Sequence, residues 1–283
     1  LQDQKTDDYE VYSMAMDGSD PRNVSNNKDV AWSYYAYKDR LYFVSDRDAC
    51  RRCYFLYRTD ALGNGIAKIS DLQLEDSWMG SRKKGREMIV SGRIGKDTRY
   101  QLFIINNFTG KYRQITSEPG AAFRDPSFSE SGKQIIYVYK RNRLDRNETE
   151  ELYIMDADGS NRRRLTTYPK DDKTAELGSY KAGPPQWSYK RGFITYQSNQ
   201  KGKSSIYGVT PDGKRQWKVT ENEHEEGWHD WSPDGKWIAF DARDAVTGRY
   251  DIYLMNYATK EVKNLTASSK FKINQAPVFV EAR

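Results

Sequence analysis

The sequence predicts an all-β chain, a six-bladed β-propeller of four-stranded antiparallel blades whose ring is closed by N- and C-terminal strands. Three observations predict it. A short strand ending on an aromatic recurs six times, an aliphatic-hydroxyl pair follows each aromatic at a spacing of thirteen residues, and a second aromatic lies downstream of each pair.

The first landmarks are Glu10-Val11-Tyr12, Phe55-Leu56-Tyr57, Gln101-Leu102-Phe103, Glu151-Leu152-Tyr153, Ser205-Ile206-Tyr207 and Asp251-Ile252-Tyr253. Their hydroxyl pairs are Val24-Ser25, Ile69-Ser70, Ile115-Thr116, Leu165-Thr166, Val219-Thr220 and Leu265-Thr266. Between them stand turn residues, most plainly Asp17-Gly18, Asp158-Gly159 and Asp212-Gly213. Asp-Gly between apolar runs is a hairpin signal, because glycine takes positive φ without steric cost. Outer hairpins are therefore expected over 10–25, 55–70, 101–116, 151–166, 205–220 and 251–266.

The downstream aromatics are Trp32, Trp78, Phe128, Trp187, Trp231 and Phe279, and apolar strands follow them at Leu41–Val44, Met88–Val90, Ile135–Val138, Phe193–Tyr196 and Trp237–Phe240. Four strands in a period of 45 to 54 residues, with no helical pattern between them, is the arithmetic of a propeller blade. A four-stranded sheet this small cannot bury both faces alone, but sheets packed face to face around an axis cover one another. Residues 1–283 are thus expected to form a single domain. The chain opens on the outer hairpin of one blade and ends on that blade's first inner strand, Pro277-Val278-Phe279. The remaining strand of that blade is either Leu1 to Asp8 or missing.

Composition narrows the function classes. Apolar residues are 37% of the 283, with 21 Tyr, 10 Phe and 7 Trp, so the expected core is aromatic. The net charge is +6, but 46 basic and 40 acidic residues alternate, and no basic tract exceeds Arg162-Arg163-Arg164, which argues against nucleic-acid binding. No stretch approaches the roughly 18 apolar residues of a membrane helix, so no transmembrane span is expected. Leu1 in place of Met suits a mature exported chain with its signal peptide removed, and suits an expression product equally. Cys50 and Cys53 are spaced for a small disulfide loop, free thiols or half of a zinc site. Zinc is disfavoured, because four ligands are needed and the two histidines lie far away.

The run Asp230-Trp231-Ser232-Pro233-Asp234-Gly235-Lys236-Trp237-Ile238-Ala239-Phe240, followed by Asp251-Ile252-Tyr253-Leu254-Met255 and Asn264-Leu265-Thr266, resembles the repeat of the TolB-type propeller family (WD40-like, PD40 repeats). Weaker copies run through Phe128–Lys133 and Trp187–Lys190, and the first two repeats are degenerate. The resemblance implies a periplasmic or otherwise exported bacterial protein of the cell envelope that binds other macromolecules at one end of its propeller. Similar repeats occur in oligopeptidases and oligogalacturonate lyases, so it leaves binding and catalysis both open.

Irregularity gathers on one face. The outer hairpins keep their spacing, whereas the connection to the next inner strand varies from 7 residues, Ser25 to Trp32, to 21, Thr166 to Trp187. The connections Asp46 to Tyr54, Lys140 to Glu150 and Asp241 to Tyr250 emerge on the same face. Variable loops on a rigid scaffold carry recognition, so this is the expected functional face. Just before three inner aromatics stand Asp29, Glu75 and Asp125, a candidate channel-mouth cation site if the three carboxylates converge. Otherwise they meet water or Arg124, and no cofactor is required. His224 and His229 lie in the fifth repeat's connection. As metal ligands they would suit a metal-assisted polysaccharide lyase, although two histidines from one loop fall short of the histidine-rich site of the similar lyases.

Gly-x-Ser-x-Gly and phosphate-loop motifs are absent. Asn107-Phe108-Thr109 and Asn147-Glu148-Thr149 match glycosylation acceptors in form only. The leading expectation is a monomeric, non-enzymatic binding propeller that presents its variable loops to a protein or glycan, with Trp228, His229, Tyr168, Tyr180, Arg141 and Arg143 as candidate contacts. The alternative is an oligogalacturonate-type lyase using His224 and His229.

Overall fold

A computed structural model describes residues 2–3, 8–26, 30–95, 98–167, 172, 181–221 and 224–281, and every regular element in them is a β-strand. Among the described residues, five sheets each contain a run of four strands in chain order. The first comprises Ala31–Tyr37, Arg40–Ser45, Phe55–Asp60 and Ala67–Lys68. The second comprises Gly80–Arg82, Glu87–Arg93, Gln101–Asn106 and Tyr112–Gln114. The third comprises Ala122–Phe128, Gln134–Lys140, Glu151–Asp156 and Arg163–Arg164. The fourth comprises Ala182–Ser188, Phe193–Gln200, Lys203–Val209 and Gln216–Lys218. The fifth comprises Glu225–Trp231, Trp237–Arg243, Tyr250–Asn256 and Val262–Asn264.

The second strand of each sheet is a near-continuous apolar run because it is buried on both faces. Phe43, Val44, Met88, Ile89, Ile135, Ile136, Ile194, Ile238 and Phe240 are all fully buried. The chain divides into two compact units, Leu1–Leu74 with Gly227–Arg283, and Glu75–Glu226. Within the second unit, consecutive sheets meet face to face. Ile89, Leu102 and Ile104 pack on Phe123, Phe128, Ile135 and Tyr137, and Ile136, Val138 and Leu152 pack on Ile194, Tyr196 and Val209. Within the first unit, Val11 and Val24 of the first hairpin pack on Ala31, Leu41, Phe43 and Tyr57.

The thirteen-residue spacing has a structural cause. The aliphatic residue of each pair donates its N–H to the carbonyl of the residue before the landmark aromatic, at 2.8 or 2.9 Å in all six hairpins: Val24 to Val11, Ile69 to Leu56, Ile115 to Leu102, Leu165 to Leu152, Val219 to Ile206 and Leu265 to Ile252. The hydroxyl then accepts that same residue's N–H. Val11 donates to Ser25 Oγ (2.9 Å), Leu102 to Thr116 Oγ1 (2.9 Å), Leu152 to Thr166 Oγ1 (3.0 Å), Ile206 to Thr220 Oγ1 (3.2 Å) and Ile252 to Thr266 Oγ1 (2.9 Å). In the second repeat Ser70 Oγ accepts from Leu72 N–H (3.3 Å).

The sixth repeat forms less than the sequence predicts. Among the described residues only its outer hairpin is present as a sheet, Tyr12–Ser13 pairing with Arg22–Asn23. Pro277-Val278-Phe279 is not a strand, and at the other end, among the described residues, Gln2–Asp3 pairs with Asp8–Tyr9. The tail is nevertheless fixed. Asn274 is fully buried and donates through Nδ2 to the carbonyls of Tyr250 (3.0 Å) and Phe271 (3.1 Å). Farther on, Ala276 N–H donates to Asp241 Oδ2 (2.9 Å), Phe279 N–H to Asp230 Oδ2 (2.8 Å), and Glu281 N–H to the Lys38 carbonyl (2.9 Å). Side-chain acceptors and turn carbonyls hold it where a ladder partner would. Among the described residues, no helix is long and apolar enough to cross a membrane.

Candidate binding site

The candidate residues fall in both units. In the first unit, the strand Glu225–Trp231 carries Trp228, His229 and Asp230 in succession, so alternate side chains point to opposite sides. Trp228 is half-buried and meets Trp32 and Tyr34 edge-on, with centroids 5.9 and 6.4 Å apart and planes at 88° to both. Trp32 stacks on Tyr34 at 6.2 Å and on Tyr9 at 4.1 Å. Edge-to-face and offset pairs are the favoured aromatic geometries, so the four rings brace one another. Tyr34 is buried while Tyr9, Trp32 and Trp228 remain partly open, which leaves a rigid aromatic surface of the kind that anchors binding.

His229 points the other way and is fully buried. Desolvation disfavours its charged form and takes its pKa down to about 3, so it is a neutral core imidazole at neutral pH. His224 is half-buried. Beside these lie two acids that the sequence reading did not single out. Asp241 is buried and accepts from Ala276 N–H (2.9 Å) and Trp228 N–H (3.3 Å), and Asp230 accepts from Phe279 N–H (2.8 Å). Burial raises both carboxyls to about 7, against the pull of those donors. Gly227 makes the packing possible, since a Cβ there would sit 2.0 Å from Asp241 Oδ1. One signal was present in the sequence: Asp241 directly continues the apolar run Trp237–Phe240, and an acid there needs buried partners.

In the second unit, Glu75 is buried and forks onto Arg99, with Nε to Oε1 at 3.0 Å and Nη2 to Oε2 at 2.9 Å, while Arg93 stands 3.8 Å away. The Arg99 guanidinium is raised above its usual pKa by that bond. Asp125 turns inward at a β-bulge between Arg124 and Ser127, and its backbone takes φ of +52°. Its Oδ1 accepts from Trp78 N–H (2.9 Å) and Ser77 Oγ (3.2 Å), and desolvation holds its carboxyl above the usual range. Arg124 pairs with Glu150. Asp29 lies outside the described residues. Glu75 and Asp125 thus each have partners of their own, and among the described residues no group of three or more His, Cys, Asp or Glu is placed to hold a metal ion. The three-carboxylate site expected from the sequence includes Asp29 and so lies partly outside the described residues.

Arg141 and Arg143 sit on the loop between the second and third strands of the third sheet. Arg141 is exposed, with its Nε 3.4 Å from Glu148 Oε1, and Arg143 is half-buried and ties the loop back through its N–H to the Gly120 carbonyl (2.8 Å). Between them and the loop's return stands Leu144, 78% exposed, an apolar tip the sequence reading passed over. Tyr168 and Tyr180 lie outside the described residues. Cys50 and Cys53 form a disulfide.

Known proteins share both the sequence and the architecture. The Tol-Pal system protein TolB of Francisella tularensis subsp. holarctica is 30% identical over 116 residues, which are 41% of this chain and 25% of that protein's length. A TolB from Acinetobacter baumannii superposes with a TM-score of 0.68 at 15% identity, covering 89% of this chain and 58% of that one. An Agrobacterium tumefaciens protein assigned as a TolB superposes at 0.67 with 18% identity, covering 87% and 84% of the two chains. The fold is that of a TolB-type β-propeller. No protein-family model matches the chain. The matched sequence spans only a quarter of the curated relative's length, and the structural likeness carries the blade architecture.

Proposed function

We propose that this chain is a non-enzymatic binding propeller of the bacterial cell envelope, six-bladed, monomeric and exported to the periplasm, which recognises a protein partner through its variable-loop face. The partly open aromatic nest of Trp228, Trp32 and Tyr9 is the observation that carries this reading, because rigid, half-buried aromatics anchor interfaces at low entropic cost. The likeness to a protein of the Tol-Pal system supports an envelope role. The sixth outer hairpin supports the blade count. Arg141, Arg143 and Leu144 would extend the contact from another loop, and no cofactor is needed.

The lyase reading gains nothing from the site. His229 is enclosed and neutral, so reaching a substrate would require rebuilding the strand that carries it. The test is capture of envelope extract on the intact, immobilised chain, wild type against Trp228→Ala. A partner protein retained by the wild type and reduced at least tenfold by the variant supports the proposal. Retention unchanged by the variant refutes the nest as the anchor. Release of unsaturated uronate from polysaccharides at enzymatic rates would refute the non-enzymatic reading, and capture of a glycan alone would refute the protein partner.

A further inference from the structure

The loop that joins the second and third strands of the first sheet runs Asp46-Arg47-Asp48-Ala49-Cys50-Arg51-Arg52-Cys53, and its cysteines are bonded across a separation of three. A cross-link over so short a loop constrains the unfolded chain little, because the entropy it removes grows with loop length. The loop has other means of holding its shape. Ala49 N–H donates to the Asp46 carbonyl (3.0 Å), Cys53 N–H to the Cys50 carbonyl (2.8 Å), and Arg52 N–H to Asp46 Oδ2 (2.6 Å). Beneath these, Asp46 and Arg47 are buried. Asp46 Oδ1 accepts from Val30 N–H (3.0 Å), and Arg47 Nη2 donates to the Ser25 carbonyl (3.0 Å). The backbone therefore holds the two cysteines together, with Cα atoms 5.2 Å apart, by bonds that do not involve sulfur.

The two sulfurs are not equivalent. Cys50 is exposed, whereas Cys53 is half-buried. Arg51 and Arg52 stand exposed between them, against a single exposed acid of the loop, Asp48. Cations beside a cysteine stabilise its thiolate, the form that attacks and the form that leaves, and exposed disulfides are the labile ones. We propose that Cys50 and Cys53 are a reversible thiol–disulfide exchange site that takes electrons from the dithiol of a protein oxidoreductase, with Cys50 as the sulfur attacked. A thiolate of the incoming dithiol bonds to Cys50 Sγ, the bond between Cys50 and Cys53 breaks, and Cys53 leaves as a thiolate. The dithiol's second thiolate then bonds to its own first sulfur, closing the partner's disulfide and releasing Cys50 as a thiolate. Two electrons pass from the partner to the pair, and the partner's two protons go to the two cysteines or to solvent. The loop's hydrogen bonds keep the reduced pair in place for the reverse step.

The test equilibrates the intact protein, as its own cells produce it, with a thioredoxin couple held half reduced, starting from both the oxidised and the reduced chain. Free thiols are counted by mass spectrometry after alkylation. At least half of the pair is expected as dithiol, because structural cross-links stay oxidised against that couple. Glutathione, a monothiol, should leave its mixed disulfide on Cys50. In the reduced chain iodoacetamide should alkylate Cys50 at least tenfold faster than Cys53. Arg51→Gln with Arg52→Gln should slow that alkylation at least threefold, whereas Arg51→Lys with Arg52→Lys, which keeps the charge, should not. Arg51→Gln alone serves if the double variant does not fold. Circular dichroism of the two redox forms should coincide. A pair less than half reduced at equilibrium overturns the proposal and makes the bond a structural staple, as does a fold that collapses on reduction. Equal reactivity of the two sulfurs, glutathione found on Cys53, or rates indifferent to the arginine charges also overturns it.

Discussion

Thr166 is fully buried, and its hydroxyl does what a backbone carbonyl cannot at the end of a short outer strand. It accepts the Leu152 N–H at 3.0 Å just beyond the last ladder pair, Tyr153 with Arg164. In two other repeats the hydroxyl also donates onward, Thr116 to Gln101 Oε1 (3.0 Å) and Thr266 to Asp251 Oδ1 (2.8 Å), so there the residue before the clasped N–H is tied in as well. Replacing Thr166 by Val keeps the shape and strands a buried donor, a change worth about 1–3 kcal/mol. Chemical denaturation of Thr166→Val should show a loss of that order, while Thr166→Ser, which keeps the acceptor, should lose clearly less. The spacing that reveals the hydroxyl is written in the sequence. Its purpose is not, because the N–H it satisfies lies fourteen residues upstream, on a different strand.

Among elements, the outer hairpins and the second strands were legible because each is fixed by local signals, turn residues and unbroken apolar runs. The sixth blade was only half legible. Its hairpin carries the full signature, but its inner strands depend on pairing between distant parts of the chain, for which a single-chain pattern gives no signal. The site divides the same way. Trp228 and His229 are adjacent in sequence, and only the alternation of the strand sends one to the aromatic nest and the other into the core. The docking of the first hairpin makes its own prediction. Gly18 has φ of +90°, and a Cβ there would stand 2.4 Å from the Leu265 carbonyl oxygen, which is backbone and cannot swing away. Gly18→Val should therefore lift the hairpin off the fifth sheet. Hydrogen exchange should show faster exchange at Val24 and Ser25 in the variant, with Phe103 and Tyr137 unchanged. Unchanged protection at Val24 would contradict the role given to this contact.

For the whole molecule, the buried titratable groups of the first unit set how stability depends on pH. Asp230 and Asp241 have folded pKa values near 7 against 3.8 unfolded, so between those values the folded chain binds more protons and stability falls as pH rises. Above about pH 7 their contribution is flat. His229 acts in the opposite sense. Its folded value near 3 lies below the unfolded 6.5, so the unfolded chain binds more protons and stability rises with pH until about 6.5. Each group contributes a slope of about 1.4 kcal/mol per pH unit at most, and two acids outweigh one histidine. The net expectation is a chain less stable at pH 6.5 than at pH 5. Glu226, Glu151 and Asp125 are also raised by burial and act in the same sense above their ordinary range, while the lowered Glu87 and Asp251 act only below theirs. Urea midpoints of the intact chain from pH 5 to 8 measure this. The double variant Asp230→Asn with Asp241→Asn keeps a side-chain acceptor for Phe279 and Ala276 while removing both titrations. Its slope over pH 5 to 6.5 should be much shallower than the wild type's or reversed, and His229→Gln should steepen the fall instead. A double variant with the wild-type slope would mean that the two carboxyls anchoring the tail remain ionised throughout, and that burial does not govern their titration.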